Sequence, residues 1–480
     1  MFTRAELLAA AGVHPTDGAL PARLPGAAVD SRLVLPGQLF VALRGSQTDG
    51  QRFIANAVEA GASAVLCAAT DATATARHIP QLVVADPLAV LQQLARARLA
   101  RQPQTVVVAI TGSAGKTSTK EAVAALLAQR APTLKTPASF NTETGLPLTV
   151  LGLEPEHRYA VLEMGAQWVG EIAMLCGIAP PRISVVTRVG PAHLEYFGSI
   201  ERVALAKSEL VRALPAEGIA ILNDDDPRVR RMARLTPARV VTYGRRARAD
   251  VRALRVSGDP LRGLRFTLAY SGVQARVQLR IPGEHGVSTA LAAAAVALQC
   301  DLAIEAVAEG LGELCPPKRR GELKPGRNGS LIIDDSYNAN RQSVTAALAL
   351  LRAGHAPPGA RRWAVLGDMF ELGEYAAAEH ALVGAAVAGT ADEVVVIGEY
   401  ADELARAARA TGMAATRIHC FAGDVADPAA RAPARRAAAT LVGARVAPGD
   451  LVLVKGSLGM GMDAVVAALQ ESDDDDPSGH

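Results

Sequence analysis

Residues 105–118 read Thr-Val-Val-Val-Ala-Ile-Thr-Gly-Ser-Ala-Gly-Lys-Thr-Ser, and this stretch is the strongest local signal in the 480-residue chain. Its first six residues are β-branched or small, which favours a strand that is buried on both faces. Two glycines then allow a tight turn, and a helix is predicted from about Thr117 to Gln129. Backbone N–H groups at such a helix start bind phosphate well, Lys116 can neutralise phosphate charge, and the Thr117 hydroxyl suits Mg²⁺. The stretch therefore predicts a nucleotide-binding loop within a parallel α/β sheet.

The loop is a variant of the general phosphate-binding pattern. That pattern has four residues between its glycines, whereas two residues separate Gly112 from Gly115, and Ile110 stands where an earlier glycine is usual. The alternative interpretation is a strand–helix turn without a ligand. The coincidence of strand, glycines, lysine and hydroxyl residues favours the nucleotide loop.

Strands and helices alternate on both sides of this loop and predict an α/β protein of three domains. A small N-terminal α/β domain is predicted for residues 1–102, and a central P-loop ATPase-like domain with a mostly parallel sheet for residues 103–315. Two helices, at about 287–299 and 302–313, are expected to close the central domain. After the Pro-rich linker that starts at Pro316, a C-terminal Rossmann-like domain is predicted to residue 472. Residues 473–480, with four consecutive aspartates, are predicted to form a disordered acidic tail.

Composition excludes several classes of protein. Half of the residues are apolar and the formal net charge is +2, so a nucleic-acid partner held by bulk charge is not expected. No apolar run reaches the ~18 residues that span a bilayer, and the N-terminus lacks the pattern of a secretory signal. We therefore expect a cytoplasmic protein without membrane insertion, and a monomer. The five scattered cysteines form no C-x-x-C pair and are expected to be small buried residues in a reducing compartment.

Lysine is scarce, which makes the position of each one informative. The chain has 50 basic residues, of which seven are lysines: Lys116, Lys120, Lys135, Lys207, Lys318, Lys324 and Lys455. A codon bias towards arginine explains the composition but not these positions. Lys135 and Lys324 are expected to be solvated surface charges, and Lys120 and Lys318 lie inside motifs without an assigned role.

Residues 111–117 (Thr-Gly-x-x-Gly-Lys-Thr) resemble the ATP loop of the Mur ligase family, which forms amide bonds in peptidoglycan precursors. Residues 163–166 (Glu-Met-Gly-Ala) and 334–340 (Asp-Asp-Ser-Tyr-Asn-Ala-Asn) resemble further family segments, and the matches run in the same order over nearly the whole chain. They are most similar to the members that join D-alanyl-D-alanine to the terminal carboxylate of UDP-N-acetylmuramoyl-tripeptide. The resemblance implies an ATP-dependent ligase that uses two Mg²⁺ ions and an acyl-phosphate intermediate. The third amino acid of the tripeptide is not specified by the sequence.

The resemblance also implies the catalytic and metal-binding residues. Glu163, at the end of a strand beside the loop, is implied to hold one Mg²⁺ with Thr117. His193 in Pro-Ala-His-Leu-Glu is implied to bind the second ion. Lys207 matches a lysine that is carbamylated in the family, and a buried amine with a lowered pKa can react with CO₂ to become an anionic oxygen ligand. Lys116, His193 and Lys207 are therefore the predicted catalytic residues. The alternatives are an exposed glutamate, a structural histidine and a surface lysine that pairs with Glu209.

Further ligand contacts are implied in all three domains. Those with ATP are Gly112, Ser113, Ala114, Gly115, Lys116, Thr117, Ser118, Asn223, His285, Arg320 and Asp335. Those with the other substrates are Ser31 and Arg32 near the uridine, Asn141 and Thr142 beside the tripeptide, and Tyr337, Asn338, Asn340 and Ser457 at the dipeptide. The Asp224–Asp226 triplet could suggest a metal site, but we interpret it as a turn near the nucleotide. Because Arg320 and Asp335 belong to the third domain, closure of that domain is expected to assemble the site and exclude water.

The sequence departs from the family pattern at Arg188, Gly286, Thr289, Arg341 and Leu458. These departures affect the expected adenine contacts, the local loop shapes and the group that holds the dipeptide carboxylate.

Two alternative functions remain. One is a ligase for another amino acid or a folate-like acceptor, against which the segments 163–166 and 337–340 argue. The other is a P-loop ATPase or switch with a protein partner, which would hydrolyse ATP without an amine acceptor.

Overall fold

The structure is a computed structural model that describes residues 1–16, 18–45, 48–422 and 430–470. Four sheets form three α/β regions along these residues, which confirms the predicted fold class. The predicted acidic tail and residues 471–472 lie outside the described residues. Within the described ranges, no helix is both long and apolar enough to cross a membrane.

The N-terminal region combines a parallel sheet with a small antiparallel pair. Its strands are β1 (Phe2–Thr3), β2 (Arg23–Leu24), β3 (Ala27–Ala28), β4 (Leu39–Val41), β5 (Ala64–Cys67) and β6 (Gln81–Val83). Its helices are α1 (Arg4–Ala11), α2 (Ile54–Glu59), α3 (Ala72–Ala76) and α4 (Pro87–Ala100). Strands β3 to β6 lie side by side in sequence order and are parallel. The start of α4 is fixed locally, since Asp86 caps it and Pro87 occupies the first turn.

The central region is built on one nine-stranded sheet. Its strands are β7 (Val106–Thr111), β8 (Thr133–Lys135), β9 (Tyr159–Glu163), β10 (Ile183–Val186), β11 (Ile219–Asn223), β12 (Arg239–Gly244), β13 (Val251–Asp259), β14 (Gly263–Tyr270) and β15 (Val273–Leu279). Its helices are α5 (Lys116–Ala128), α6 (Gly145–Leu151), α7 (Glu171–Ile178), α8 (Leu194–Phe197), α9 (Ile200–Arg212), α10 (Pro227–Arg231), α11 (Glu284–Gln299) and α12 (Ile304–Glu313). The strand order is β8-β9-β7-β10-β11-β12-β13-β14-β15, parallel up to β13 and antiparallel beyond it. Helix α11 begins at Glu284, earlier than predicted, so His285 lies in its first turn.

Strand β7 lies between two hydrophobic cores, as its uninterrupted apolar sequence predicts. Val107 and Ala109 belong to one core, and Val108 and Ile110 belong to the core on the opposite face of the sheet. The first core also contains Phe2 of the N-terminal region. The N-terminal and central regions therefore share one hydrophobic core.

The third region has a separate six-stranded sheet. Its strands are β16 (Glu322–Gly326), β17 (Ser330–Asp335), β18 (Arg362–Gly367), β19 (Glu393–Ile397), β20 (Ile418–Phe421) and β21 (Leu451–Lys455). Its helices are α13 (Arg341–Ala353), α14 (Ala376–Val387), α15 (Ala401–Ala410), α16 (Arg431–Arg445) and α17 (Asp463–Leu469). The order is β16-β17-β21-β18-β19-β20, and β16 is an antiparallel edge strand. The two faces of the sheet carry separate cores, and Leu194 and Leu261 of the central region pack into one of them.

Two predictions about individual residues were wrong. All five cysteines are free thiols, but Cys315 and Cys420 are exposed instead of buried. Lys324 is not a solvated charge, because its Nζ lies 2.6 Å from Oδ2 of the buried Asp334. The register of the edge hairpin explains this pair: Glu322 lies opposite Asp334, so Lys324 on the same face is the diagonal neighbour of Asp334.

Candidate functional site

The predicted phosphate loop, residues 111–117, lies at the carboxyl end of β7. Its backbone is held by contacts with Thr187, which follows the neighbouring strand β10. Gly112 has φ +151°, and a Cβ there would lie 2.0 Å from Oγ1 of Thr187, just beyond the end of β10. That hydroxyl donates to the carbonyl of Ala114 at 2.6 Å and also lies 3.2 Å from the carbonyl of Thr111. Gly115 has φ +83° and precedes α5 without a side-chain cap. The first N–H groups of α5 are therefore available to an anionic ligand.

Lys116, the first residue of α5, folds back over this loop. Its Nζ donates to the carbonyl of Gly112 at 2.8 Å. Burial lowers the pKa of Lys116, while the carboxylate of Glu163 opposes that effect and Arg320 adds to it. Lys116 thus lies near the carboxylate of Glu163 and near Arg320, which belongs to the third region.

Glu163 lies beside the loop because of the sheet register, which pairs it with Ile110 across β9 and β7. One carboxylate oxygen, Oε1, accepts a hydrogen bond from Asn141 Nδ2 at 2.7 Å. The other, Oε2, is buried and has no hydrogen-bond partner among the described residues. A buried carboxylate oxygen without a donor suits a hard cation.

His193 and Lys207 lie on the adjoining segments of the central region. His193, with φ +54°, precedes α8, and its Nδ1 forms an ion-pair contact with Oε2 of Glu371 from the third region. Lys207 on α9 is only 2% exposed, and its Nζ lies 3.5 Å from the carbonyl of Ala166. Burial and the charge of Lys116 lower the pKa of Lys207 to about 7, although Glu171 and Glu209 act in the opposite direction. A surface lysine paired with Glu209 is therefore not what the structure contains.

A metal ion could bind here only through a mixed set of ligands. Within the described ranges, no three His, Cys, Asp or Glu side chains converge on one point. The free oxygen of Glu163 nevertheless suits a hard cation next to the phosphate loop, and the hydroxyl of Thr117, which accepts from Arg320, is the predicted second ligand. A carbamate on Lys207 would supply oxygen ligands that the unmodified side chain lacks.

The third region contacts the phosphate loop directly. Arg320 Nη2 donates to Oγ1 of Thr117 at 3.1 Å, and Asn340 Nδ2 donates to the carbonyl of Ser113 at 3.3 Å. The guanidinium of Arg320 also stacks on the ring of Tyr337 at 4.1 Å. The Tyr337 hydroxyl hydrogen-bonds Ser139 Oγ, in the segment that leads to Asn141.

Asp335 and Lys455 form the other charged group at this edge of the third sheet. Lys455 Nζ donates to Asp335 Oδ2 at 2.6 Å and to the Asn338 carbonyl at 2.8 Å. Ser457 is buried and accepts a hydrogen bond from the backbone N–H of Phe370 at 2.8 Å. These contacts hold the loops after β17, β18 and β21 together.

Both polar atoms of the Asn223 side-chain amide form hydrogen bonds within the central region. Its Nδ2 donates to the carbonyl of Thr187 at 2.8 Å, and its Oδ1 accepts from Asp225 N at 3.0 Å. The following aspartates are engaged separately: Asp224 pairs with Arg248, and Asp226 caps α10. The triplet is therefore a turn, and its carboxylates do not form a metal site.

Two of the departures from the family pattern have a local explanation. A Cβ at Gly286 would lie 2.9 Å from Cγ2 and from the carbonyl oxygen of Ile281, so a larger residue would have to displace that segment. Arg341, the first residue of α13, pairs with Glu379 at 2.7 Å. The side chain of Leu458 is 51% exposed.

The residues predicted to lie near the uridine and the tripeptide have local contacts. Ser31 and Arg32 lie in a short 3₁₀ helix, Ser31–Leu33, that Asp30 caps. Arg32 is highly exposed and pairs with Asp30 at 2.6 Å. Thr142 precedes α6, with its hydroxyl 3.1 Å from that of Thr144. The structure thus brings Asn141, but not Ser31 or Arg32, to the phosphate loop.

Sequence reasoning missed several residues at this site. Lys120 is fully buried, and its Nζ donates to the carbonyls of Thr136 and Ala138, at 2.7 and 3.2 Å, in the segment before Asn141. Thr187 and Glu371 were not singled out either. Thr187 follows β10 of the central sheet and Glu371 follows β18 of the third-region sheet, and side chains after the carboxyl ends of parallel strands gather at one edge of their own sheet. That rule could have identified them.

Three sequence-family models match the chain. The Mur ligase family, catalytic domain, covers residues 25–99; the Mur ligase middle domain covers residues 110–297; and the Mur ligase, glutamate ligase domain, covers residues 319–458. The boundaries predicted for the domains stay predictions.

Curated relatives and solved structures match over nearly the full length. The UDP-N-acetylmuramoyl-tripeptide--D-alanyl-D-alanine ligase of Mycobacterium tuberculosis is 41% identical over 97% of this chain and 96% of that protein. The Escherichia coli protein of the same name is 36% identical over 94% of each. A crystal structure of MurF from Acinetobacter baumannii covers 98% of this chain and 99% of its own, with a TM-score of 0.85 and 30% identity. MurF ligase from Thermotoga maritima in complex with ADP has a TM-score of 0.75 and 28% identity over 92% of this chain and 96% of its own.

Proposed function

The chain belongs to the Mur ligase family, and from this premise we propose that it joins D-alanyl-D-alanine to the terminal carboxylate of UDP-N-acetylmuramoyl-tripeptide with ATP. Relatives with that name match nearly its whole length. It is an ATP-dependent carbon–nitrogen ligase of peptidoglycan precursor synthesis. The observation that carries the proposal is the contact between Arg320 and Thr117, because it places a side chain of the third region on the phosphate loop. We expect the reaction to take place in the cytoplasm, since ATP and a UDP-linked precursor are its substrates.

The first chemical step transfers the γ-phosphoryl group of ATP to the tripeptide carboxylate. A carboxylate oxygen forms a bond to the γ-phosphorus, the bond to the β-γ bridging oxygen breaks, and ADP leaves. The start of α5 and Lys116 bind the phosphates and stabilise the negative charge that moves during transfer. Arg320 adds a second cation from the third region.

The residues that would hold the two Mg²⁺ ions are distributed around the loop. Glu163 and Thr117 would hold one ion, and His193 with carbamylated Lys207 would hold the other. Bound there, Mg²⁺ supplies Lewis-acid stabilisation of phosphoryl oxygens. Asn141 keeps Glu163 in place through its 2.7 Å hydrogen bond, which leaves Oε2 for the ion.

Carbamylation of Lys207 converts a buried amine into a carboxylate-like ligand. The neutral amine adds to CO₂, a nitrogen–carbon bond forms, and one proton is released. Deep burial and a pKa of about 7 favour the neutral amine that this reaction needs. Arginine could not replace it, because a guanidinium stays protonated.

In the second step, the amine of D-alanyl-D-alanine attacks the acyl phosphate. A carbon–nitrogen bond forms to give a tetrahedral intermediate, the bond between carbon and the phosphate oxygen breaks with its electron pair leaving on phosphate, and the amine loses a proton. Tyr337, Asn338, Asn340 and Ser457 lie on the third-region loops that face the phosphate loop, and we assign the dipeptide to this cleft. Asp335 can contact the ATP ribose through the carboxylate oxygen that Lys455 does not use. Closure of the third region would exclude the water that hydrolyses acyl phosphates.

The decisive experiment measures phosphate release from ATP and Mg²⁺ with UDP-N-acetylmuramoyl-tripeptide, with and without D-alanyl-D-alanine. We expect phosphate release to depend on the dipeptide and to match the amount of the pentapeptide product. Release that is independent of both acceptor and tripeptide would instead identify an ATPase. Tripeptides that end in lysine or diaminopimelate, compared in parallel, would assign the third amino acid.

A further inference from the structure

One loop of the third region docks on the segment that carries His193. This docking loop, residues 368–375, follows β18. The carbonyl of Glu371 accepts from Glu195 N at 3.2 Å, and the Tyr375 hydroxyl donates to the carbonyl of Gly198 at 3.0 Å. Leu194, next to His193, is buried in a hydrophobic core of the third region. The position of His193 therefore depends on the third region.

Glu371 makes the most specific contact of this docking loop. Its Oε2 contacts His193 Nδ1, and its Oε1 accepts from Gln167 Nε2 at 3.2 Å. Both carboxylate oxygens of Glu371 therefore meet side chains of the central region.

Backbone hydrogen bonds anchor the start of the docking loop within the third region. Met369 N donates to His380 Nε2 at 2.9 Å, and Phe370 N donates to Ser457 Oγ at 2.8 Å. Both acceptors are buried. The backbone that leads to Glu371 is therefore anchored to the third region.

We propose that Glu371 is a positioning residue that orients His193 and thereby couples metal binding at His193 to closure of the third region. Because Glu371 Oε2 lies against Nδ1, it favours a proton on that nitrogen, and Nε2 then carries the lone pair. A histidine that binds a metal through one nitrogen commonly donates from the other to a carboxylate, which fixes the ring. Here that carboxylate belongs to another domain, so withdrawal of the third region removes it. The inference rests on the metal-binding role that we propose for His193.

The test counts bound Mn²⁺ by electron paramagnetic resonance, with a non-hydrolysable ATP analogue and UDP-N-acetylmuramoyl-tripeptide present. Loss of an outer carboxylate typically lowers metal affinity by about 10- to 100-fold. We expect Glu371→Ala to weaken one of the two Mn²⁺ sites by that factor and to leave the other unchanged. Glu371→Gln, whose amide oxygen can still accept Nδ1–H, should lose less.

Two further variants separate the possible failures. Tyr375→Phe removes a docking contact that does not touch His193 and should bind both ions as the wild type does. If it loses as much affinity as Glu371→Ala, or if Glu371→Ala binds both ions normally, Glu371 does not position His193. His193→Ala should lose the same site. If it retains both ions, the proposed metal role of His193 is wrong, which is a separate result.

Coupling to closure has its own measurement. Because coupling is reciprocal, Mn²⁺ should favour the compact form in the wild type and less so in Glu371→Ala. Small-angle X-ray scattering with the same ligands, with and without Mn²⁺, should show a metal-dependent decrease in radius of gyration that Glu371→Ala reduces and Tyr375→Phe retains. An equal decrease in Glu371→Ala and wild type would contradict the coupling.

Discussion

Lys455 Nζ lies 2.6 Å from Oδ2 of Asp335, and the two residues are direct neighbours at the ends of parallel strands β21 and β17. Lys455 is 2% exposed and Asp335 is partly exposed. Burial lowers the pKa of Lys455, whereas the carboxylate raises it. The pair keeps a carboxylate at the carboxyl end of β17 next to a buried cation.

Replacing Lys455 alone should therefore lower the free energy of unfolding more than replacing both residues of the pair. Lys455→Met leaves the Asp335 carboxylate without its partner, and we expect a loss of up to about 3 kcal/mol in the free energy of unfolding. The double variant Lys455→Met/Asp335→Asn should recover part of that loss. Thermal unfolding of both variants without ligands measures the difference. A double variant that is less stable than Lys455→Met would show that the charge imbalance is not the cause.

Lys120 and Lys135 provide a matched comparison, because both pair with Glu121 but only Lys120 is fully buried. Lys120→Met leaves the carbonyls of Thr136 and Ala138 without their donor and should loosen the segment that carries Asn141. We expect a loss of about 2 kcal/mol or more in stability and a higher KM for the tripeptide. Lys135→Met should change the stability by less than about 1 kcal/mol. Equal effects of the two substitutions would refute this assignment.

Lys207→Arg should abolish carbamylation while keeping a positive charge. We expect a fall in kcat on the order of 100-fold or more, because the charge stabilisation lost is worth several kcal/mol. In ¹³C-bicarbonate, the wild type should show a carbamate signal by NMR that the variant lacks. A wild type without the signal, or a fully active variant, would leave Lys207 as an ordinary buried amine.

Thr187 should support ATP binding indirectly, by holding the backbone of the phosphate loop. Thr187→Val removes the hydroxyl that holds the carbonyl of Ala114, and we expect the KM for ATP to rise by about 5- to 20-fold, equivalent to roughly 1–2 kcal/mol. Thr187→Ser keeps the hydroxyl and is the control. If the two variants have the same KM, the hydrogen bond does not shape the loop.

Asp368, buried at the end of β18, should make stability depend on pH. Burial raises the pKa of Asp368 to about 6, although the N–H groups of Glu399 and Tyr400 lower it. The folded state then holds the proton more tightly than the unfolded state, so the contribution of Asp368 is largest below about pH 4 and is lost as the pH rises to about 6. Relative to Asp368→Asn, the wild type should therefore gain on the order of 3 kcal/mol between pH 7 and pH 4. If the melting temperatures of the wild type and Asp368→Asn change by the same amount across this pH range, the expectation is wrong.

Much of the fold follows from local sequence, as the stretch around Lys116 illustrates. A β-branched run, two glycines and a helix start are short-range signals, and they placed β7, the loop and α5 correctly. The contact between His193 and Glu371 has no such signal, because it depends on how two domains pack. Lys120 and Lys324 were missed for a related reason. Whether a lysine is buried depends on the strand register and on the segment that covers it, and neither is visible in the residues beside it.

The shared core of the N-terminal and central regions has a practical consequence for dissecting this protein. A fragment cut near residue 102 would lose α4, which packs on α6 and α7 of the central region, and would expose part of this shared core, so we expect it to aggregate when expressed. The third region has two cores of its own and would expose far less apolar surface if it were expressed alone. Of the two cuts, the one near residue 316 is therefore the better place to divide the gene.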